Sequence, residues 1–144
     1  MTSVQVERTI EGGFRARNQR GAEVSVGDSE QDGSFTPVEL LLAALGGCEI
    51  VSIEPLTAKR GHRLVRLEST VTAEKVAPTR LGQITVTYEI ELPEGDEKAA
   101  EVFTDVARRV HESYCTVGNA LKVPTAVEQI LPSLDGPPTG EPDG

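Results

Sequence analysis

The stretch TPVELLLAALGGCEIVSI, residues 36–53, decides the fold of this chain. Thr36 precedes a proline and stands three residues before Glu39, which predicts a helix that begins with a capping box and has proline at its first position. The run that follows is apolar on nearly every side, so the helix is expected in the middle of a core or between subunits. Gly46 and Gly47 each cost about 1 kcal/mol relative to alanine inside a helix, and a close approach by another backbone would explain them.

Segments with strand-like alternation lie on both sides of this helix. Upstream, alternating polar and apolar residues predict strands at 4–10, 14–18 and 22–26. Downstream, Pro55 is expected to kink or restart the helix and Gly61 to end it. The remaining predicted elements are strands at 64–76 and 83–92, an amphipathic helix at 99–110, a short helix at 116–122 and a closing strand at 125–131. This order predicts an α+β fold with antiparallel sheet packed around one apolar helix.

Length and composition indicate one globular domain. The 144 residues are predicted to form a single domain over 1–131, followed by a disordered acidic tail rich in proline and glycine at 132–144. The net charge of −9 argues against a nucleic-acid or anionic-membrane partner. The most apolar stretch, 40–53, is short for a membrane span and contains Glu49, and the N-terminus lacks a signal-peptide pattern. With only two cysteines, the chain is expected to be cytoplasmic.

Cys48 and Cys115 are the residues most able to support chemistry. Both could be small buried hydrophobic residues, as free cysteines usually are. Alternatively they could form a redox pair of a reactive thiolate and a resolving thiol, which requires the two sulfurs to meet. They are 67 residues apart, and this spacing decides neither case.

A metal site or a bound cofactor is not expected. The two histidines, His62 and His111, combine with the cysteines in no recognised ligand spacing, and His111 is predicted on the surface of the second helix. The sequence also lacks a glycine-rich phosphate loop and a dinucleotide fingerprint.

Two motifs resemble those of the OsmC/Ohr family. The segment TPVELLLAALGGC, residues 36–48, resembles the helix signature of that family, and YCTVGNAL, residues 114–121, resembles its second motif. The order of elements agrees over roughly 4–131. The resemblance implies a thiol-dependent peroxidase that reduces organic hydroperoxides without metal, haem or flavin. It also implies that Cys48 becomes a sulfenic acid, that Cys115 resolves it to a disulfide, and that an external dithiol reduces the disulfide.

The resemblance further implies an intertwined homodimer, with the apolar helices packed centrally and the two active sites at the interface. By position, Arg15 is the best match for the arginine of the family that stabilises the thiolate, with Arg17 and Arg20 as competitors. Glu39 matches the glutamate that holds this arginine in place, although the capping box also explains it. The peroxidase branches of the family place this glutamate one residue further from the cysteine, so the chain is expected nearer a less characterised branch.

Helix geometry limits what Glu39 does within one chain. Nine residues at 1.5 Å each put Glu39 roughly 13 Å along the helix from Cys48, and about 180° around it. It therefore serves that thiol indirectly, or serves the thiol of the other subunit. Glu49 is expected to face away from the Cys48 sulfur.

These observations lead to two functional hypotheses. The first is a dimeric peroxidase acting on organic hydroperoxides. The alternative is a dimer that keeps the fold without turnover and binds a small apolar ligand or senses oxidation.

Overall fold

Two antiparallel sheets and three α-helices form the part of the chain that the structure, a computed structural model, describes, residues 1–133. The N-terminal sheet contains β1 (Val4–Arg8), β2 (Phe14–Asn18) and β3 (Glu23–Val26). The remaining elements are α1 (Pro37–Lys59), β4 (Arg66–Ala77), β5 (Arg80–Glu91), α2 (Lys98–Arg109) and α3 (Thr116–Lys122), with a π-helical turn over Val110–Tyr114 between the last two helices. The predicted α+β class and antiparallel pairing are confirmed.

The predicted closing strand at 125–131 is wrong. These residues form no strand, and Val127 and Ile130 are 92% and 84% exposed. Apolar residues there predicted a strand, but a strand exists only through hydrogen bonds to a neighbour, and no described strand pairs with this segment. Of the predicted tail at 132–144, residues 134–144 lie outside the described part of the chain.

The N-terminal sheet is an independent three-stranded unit with β2 at its centre. Gly12 and Gly21 occupy the two turns with φ of +97° and +94°, a backbone conformation that favours glycine. Ala16 is buried in the central strand, while Val4 and Val6 are each 61% exposed on β1. The extensive contacts of this sheet are all among its own strands, so within one chain it does not pack closely on α1.

The β4–β5 hairpin forms the layer that covers α1. Val71 pairs with Val86 across the two strands, and burial alternates along both of them. The inward residues pack against a core cluster formed by α1, α2 and the segment that follows α2. The members of that cluster are Leu45, Ile53, Val102, Val106, Val110 and Cys115.

Helix α1 begins as predicted. Thr36 Oγ1 accepts the Glu39 N–H at 3.1 Å, and Glu39 Oε1 accepts the Thr36 N–H at 2.8 Å, which completes the capping box. The helix continues through Pro55 without restarting, and Gly61 follows its end with φ of +83°.

Within the described part of the chain, one side of α1 is exposed and the other is buried. Residues Leu45, Gly46, Glu49, Ile53 and Thr57 form that side, whereas Val38 and Val51 are 41% and 71% exposed. A Cβ on Gly46 would lie 2.8 Å from Val71 Cγ2, so the predicted close approach exists, but it is made by side chains of β4 and not by another backbone. A Cβ on Gly47 would meet open space.

By length and composition alone, α1 is apolar enough to cross a membrane. Core helices of soluble proteins share this property. In this chain the helix packs against β4 and α2.

Candidate active site

The fold brings the two cysteines together beneath the β4–β5 hairpin. Both are free thiols; Cys115 is fully buried, and Cys48 is partly exposed and packs against the core cluster that contains Cys115. Cys48 is also one of the groups that raise the pKa of Cys115. The sequence left open whether the sulfurs meet, and the structure places them as near neighbours.

Cys115 owes its position to the π-helical turn. The Cys115 N–H bonds to the Val110 carbonyl at 2.9 Å, which widens the last turn of α2, and Lys122 Nζ donates to the His111 carbonyl at 2.5 Å. Turns of this kind are frequent at functional sites. Cys115 then caps α3, because its Sγ accepts the Gly118 N–H at 3.2 Å.

The environment of Cys115 favours its protonated form. Burial raises the pKa of this thiol to about 11, and the Gly118 N–H only partly offsets that rise. Cys48 and then Glu49 raise the pKa further. At neutral pH, Cys115 is therefore a thiol that must lose its proton before it can attack another sulfur.

Glu49 and His111 form a pair that the sequence did not predict. The Glu49 side chain is fully buried, and its Oε1 lies 2.9 Å from His111 Nδ1, while the His111 side chain is 56% exposed. The sequence predicts Glu49 facing away from the Cys48 sulfur and His111 on the helix surface, and it indicates no contact between the two residues. The pairing could have been suspected from spacing, because Glu49 lies four residues from both Leu45 and Ile53, in the buried series of α1.

Tyr88 on β5 completes the polar group around the thiols. Neither its hydroxyl nor Glu49 Oε2 has a hydrogen-bond partner within the described residues. Burial, followed by the charge of Glu49, raises the pKa of Tyr88 well above its usual value. Its ring packs edge-on against Phe103 at a centroid distance of 5.5 Å, which orients the side chain.

Arg15 does not reach either thiol within the chain. Its guanidinium pairs with Glu7 at 2.6 Å and lies 3.8 Å from Glu23, both on the N-terminal sheet. Arg17 also points to Glu7, at 2.9 Å, which confirms that the two arginines share one face of β2. Arg20 lies in the turn after that strand, as predicted.

Glu39 also lies apart from the thiols of its own chain. Its carboxylate is engaged with the Thr36 N–H, at the rim of a groove of about 340 Å³ beside Gly46, Gly47 and Ser69. The structure thus brings together Cys48 and Cys115 from the predicted set and leaves Arg15 and Glu39 elsewhere.

The two histidines are separated from each other. His62 Nδ1 lies 2.9 Å from Asp96 Oδ2, whereas His111 pairs with Glu49. Among residues 1–133, no cluster of three or more histidine, cysteine or acidic side chains is arranged to hold a metal ion.

Comparison with known proteins identifies the family. The family model described as OsmC-like protein matches residues 28–129, which include both cysteines. Uncharacterised proteins from Mycobacterium tuberculosis and Mycobacterium bovis are each 37% identical over 128 residues, which is 88% of this chain and 93% of each relative. The chain therefore belongs to the OsmC-like protein family.

Solved structures agree with this fold. A hypothetical protein from Aquifex aeolicus aligns with a TM-score of 0.68 at 19% identity, covering 85% of this chain and 87% of the other. The OsmC-like protein of Mycoplasma pneumoniae aligns with a TM-score of 0.64 at 19% identity and the same coverage. The organic hydroperoxide resistance protein OhrB of Bacillus subtilis aligns with a TM-score of 0.55 at 17% identity, covering 86% and 92%.

Proposed function

We propose that this chain is a thiol-dependent peroxidase that reduces organic hydroperoxides, with Cys48 as the attacking thiol and Cys115 as the resolving thiol. The observation that carries the proposal is the juxtaposition of one partly exposed and one buried free thiol in an OsmC-like fold. Cys48 is the more exposed of the two cysteines, so we assign the first step to it. Membership of a family that includes organic hydroperoxide resistance proteins supports the substrate class.

The proposed cycle has three balanced steps. The Cys48 thiolate attacks one peroxide oxygen, the O–O bond breaks, and the alcohol leaves with a proton, so Cys48 becomes a sulfenic acid. The Cys115 sulfur then attacks the Cys48 sulfur, water leaves, and a disulfide forms. An external dithiol reduces that disulfide to two thiols, and the dithiol is itself oxidised. We place this cycle in the cytoplasm, where such reductants are maintained.

The proposal includes a homodimer that completes the site. The outward side of α1 exposes Val38 and Val51, and among the described elements the N-terminal sheet packs little against the helices and the β4–β5 hairpin. Exposed apolar surface of this kind is typical of protein–protein interfaces. Because Arg15 and Glu39 lie away from Cys48 in one chain, a second copy would have to contribute them to the thiol.

The test is turnover of cumene hydroperoxide with a dithiol reductant by the purified chain, beside Cys48→Ser and Cys115→Ser. We expect sustained turnover in the parent and none in Cys48→Ser. In Cys115→Ser we expect loss of cycling, with the Cys48 sulfenic acid trapped as a dimedone adduct. A parent chain that turns over no faster than Cys48→Ser would refute the peroxidase.

One observation favours a second candidate, an OsmC-like dimer that senses oxidation without turnover. The raised pKa of Cys115 keeps the resolving thiol protonated, and a sulfenic acid on Cys48 would then persist. In that case a single oxidation of Cys48 would be rapid, and the disulfide would form slowly or not at all. Following both steps in one experiment separates this candidate from the peroxidase.

A further inference from the structure

We infer that Glu49 accepts the proton of the Cys115 thiol and that His111 positions Glu49 for this task. The inference deepens the proposed function, since it assigns the proton transfer that the attack of Cys115 on Cys48 requires. It starts from a buried acidic side chain that neither the capping box nor the packing of α1 explains.

Glu49 is placed where a structural role alone would not require a carboxylate. The helix has exposed positions for charged side chains, yet Glu49 is fully buried among core residues. A buried carboxylate is costly unless its oxygens are paired, and within residues 1–133 only Oε1 has a partner, His111 Nδ1 at 2.9 Å. Oε2 lies near the Tyr88 hydroxyl without a hydrogen bond to it, so this oxygen can accept a proton from a neighbouring group.

The Cys115 thiol is the proton donor next to Glu49. With a pKa of about 11, roughly one molecule in 10⁴ carries the thiolate at pH 7, so an unassisted attack would be slow. Glu49 follows Cys48 on α1, and its 2.9 Å contact with His111 joins it to the π-helical turn that ends at Cys115. Tyr88 is the third polar side chain beside this thiol. The raised pKa of Tyr88 keeps it an acid, and Cys48 is the sulfur under attack, so Glu49 is the base of this group.

His111 connects this buried carboxylate to the surface. It lies on the π-helical turn, four residues before Cys115, and its side chain is half exposed beside Arg108 in a groove between α2 and β5. The backbone carbonyl of His111 accepts a hydrogen bond from Lys122 Nζ, which helps to hold the turn that carries the imidazole. The π-helical turn that positions Cys115 therefore also positions His111, which orients Glu49.

This proton transfer accounts for every atom and electron pair in the formation of the disulfide. Glu49 Oε2 takes the proton from Cys115 Sγ, and the sulfur electron pair forms a bond to the Cys48 sulfur. The S–O bond of the sulfenic acid breaks, and the departing oxygen takes the proton from Glu49 and leaves as water. Cys115 is oxidised, Cys48 is reduced, and Glu49 returns to its starting form without any external reactant.

The test uses a disulfide exchange that needs no peroxide. The aromatic disulfide known as Ellman's reagent first couples to the partly exposed Cys48 and releases one thionitrobenzoate. Attack by Cys115 on that mixed disulfide then releases a second thionitrobenzoate. The pH dependence of the rate of this second release reports the deprotonation of Cys115. Cys115→Ser must lack the second release, which assigns that phase.

We expect Glu49→Gln to slow the second release about 10²-fold at neutral pH and to regain rate as the pH rises towards 11. Glu54→Gln is the matched control, because Glu54 lies on the same helix and pairs with Arg63 at 2.9 Å, away from the thiols. It should retain the parent rate and pH profile. A second release in Glu49→Gln with the parent rate and pH profile would overturn the inference.

A second variant keeps the inference testable if Glu49→Gln does not fold. His111→Gln changes a half-exposed side chain, and we expect a smaller slowing with the same shift of the pH profile, against His62→Gln as its control. An unchanged profile in His111→Gln refutes the positioning role. A chain that shows the Glu49 effect but consumes no hydroperoxide refutes the peroxidase and leaves this inference standing.

Discussion

The Gly118 backbone donates its N–H to the Cys115 sulfur over 3.2 Å, at the first turn of the helix that this cysteine caps. The bond favours a thiolate, but burial outweighs it and the pKa of Cys115 rises to about 11. Cys115 is thus oriented for attack while it remains protonated. This combination suits a resolving thiol that acts only after its partner has been oxidised.

The raised pKa of Cys115 predicts a loss of stability in alkaline solution. An unfolded chain releases the thiol proton near the ordinary pKa of 9.0, whereas the folded chain keeps it up to about 11. Between these values the unfolded state binds fewer protons, so the free energy of unfolding falls as the pH rises, by about 3 kcal/mol over the whole range, of which about 2 kcal/mol is lost between about pH 8 and about pH 10.5.

Urea unfolding at about pH 8 and about pH 10.5 measures this loss. We expect the parent to lose about 2 kcal/mol more than Cys115→Ser, which has a hydroxyl that does not titrate in this range. Equal losses in both chains would show that the folded thiol ionises as freely as the unfolded one.

Gly46 and Gly47 are predicted to respond oppositely to alanine. Alanine gains about 1 kcal/mol over glycine in a helix interior, which should stabilise Gly47→Ala, because its Cβ meets nothing within 4 Å among residues 1–133. A Cβ at Gly46 would lie 2.8 Å from Val71 Cγ2 and 2.9 Å from Ser69 Oγ, and overpacking of this kind costs about 1–3 kcal/mol.

Thermal and urea unfolding of the two variants check this prediction. Destabilisation of Gly46→Ala alone is the expected result. The comparison is made at a protein concentration at which the proposed dimer dissociates, because Gly47 lies one helical turn from Val51 on the side of α1 that a second copy would cover. There, a comparable loss in Gly47→Ala would refute the prediction.

Sequence reasoning predicted the fold where a local rule applied. The capping box at Thr36 and Glu39, the alternation along β4 and β5, and the glycine turns of the N-terminal sheet each depend on residues close together in the chain. The closing strand at 125–131 failed because strand formation depends on a pairing partner, which hydrophobic alternation does not specify.

Of the residues at the candidate site, the sequence predicted only the two cysteines. Two motifs identified Cys48 and Cys115, but their proximity depends on how α1 packs on the segment after α2. The same packing joins Glu49 to His111, which are 62 residues apart. The π-helical turn changes the helical phase just before Cys115, so counting at 3.6 residues per turn misplaces His111 relative to that sulfur.

Glu39→Gln separates the capping role of Glu39 from a role in catalysis. Glutamine also completes a capping box, so we expect the free energy of unfolding to change by less than about 0.5 kcal/mol. The carboxylate charge is lost, and the proposed peroxidase uses that charge to hold an arginine. We therefore expect hydroperoxide turnover to fall at least about tenfold.

Thr36→Ala is the complementary control. It removes the cap and should lower the free energy of unfolding by about 1 kcal/mol while it leaves turnover unchanged. Full turnover in Glu39→Gln would restrict Glu39 to capping.

Val51→Asp is predicted to separate the proposed dimer. Val51 is 71% exposed on the outward side of α1, on a helix whose apolar residues surround it on all sides. A carboxylate buried there by a second copy would be unpaired and would cost several kcal/mol, whereas in a single chain it would remain in water. We therefore expect the parent to sediment as a dimer and Val51→Asp as a folded monomer with reduced turnover.

Val76→Asp, at a valine 60% exposed near the tip of the β4–β5 hairpin, is the matched control and should remain dimeric. A parent that sediments as a monomer would remove the dimer from the proposal and, with it, the only route by which Arg15 reaches Cys48.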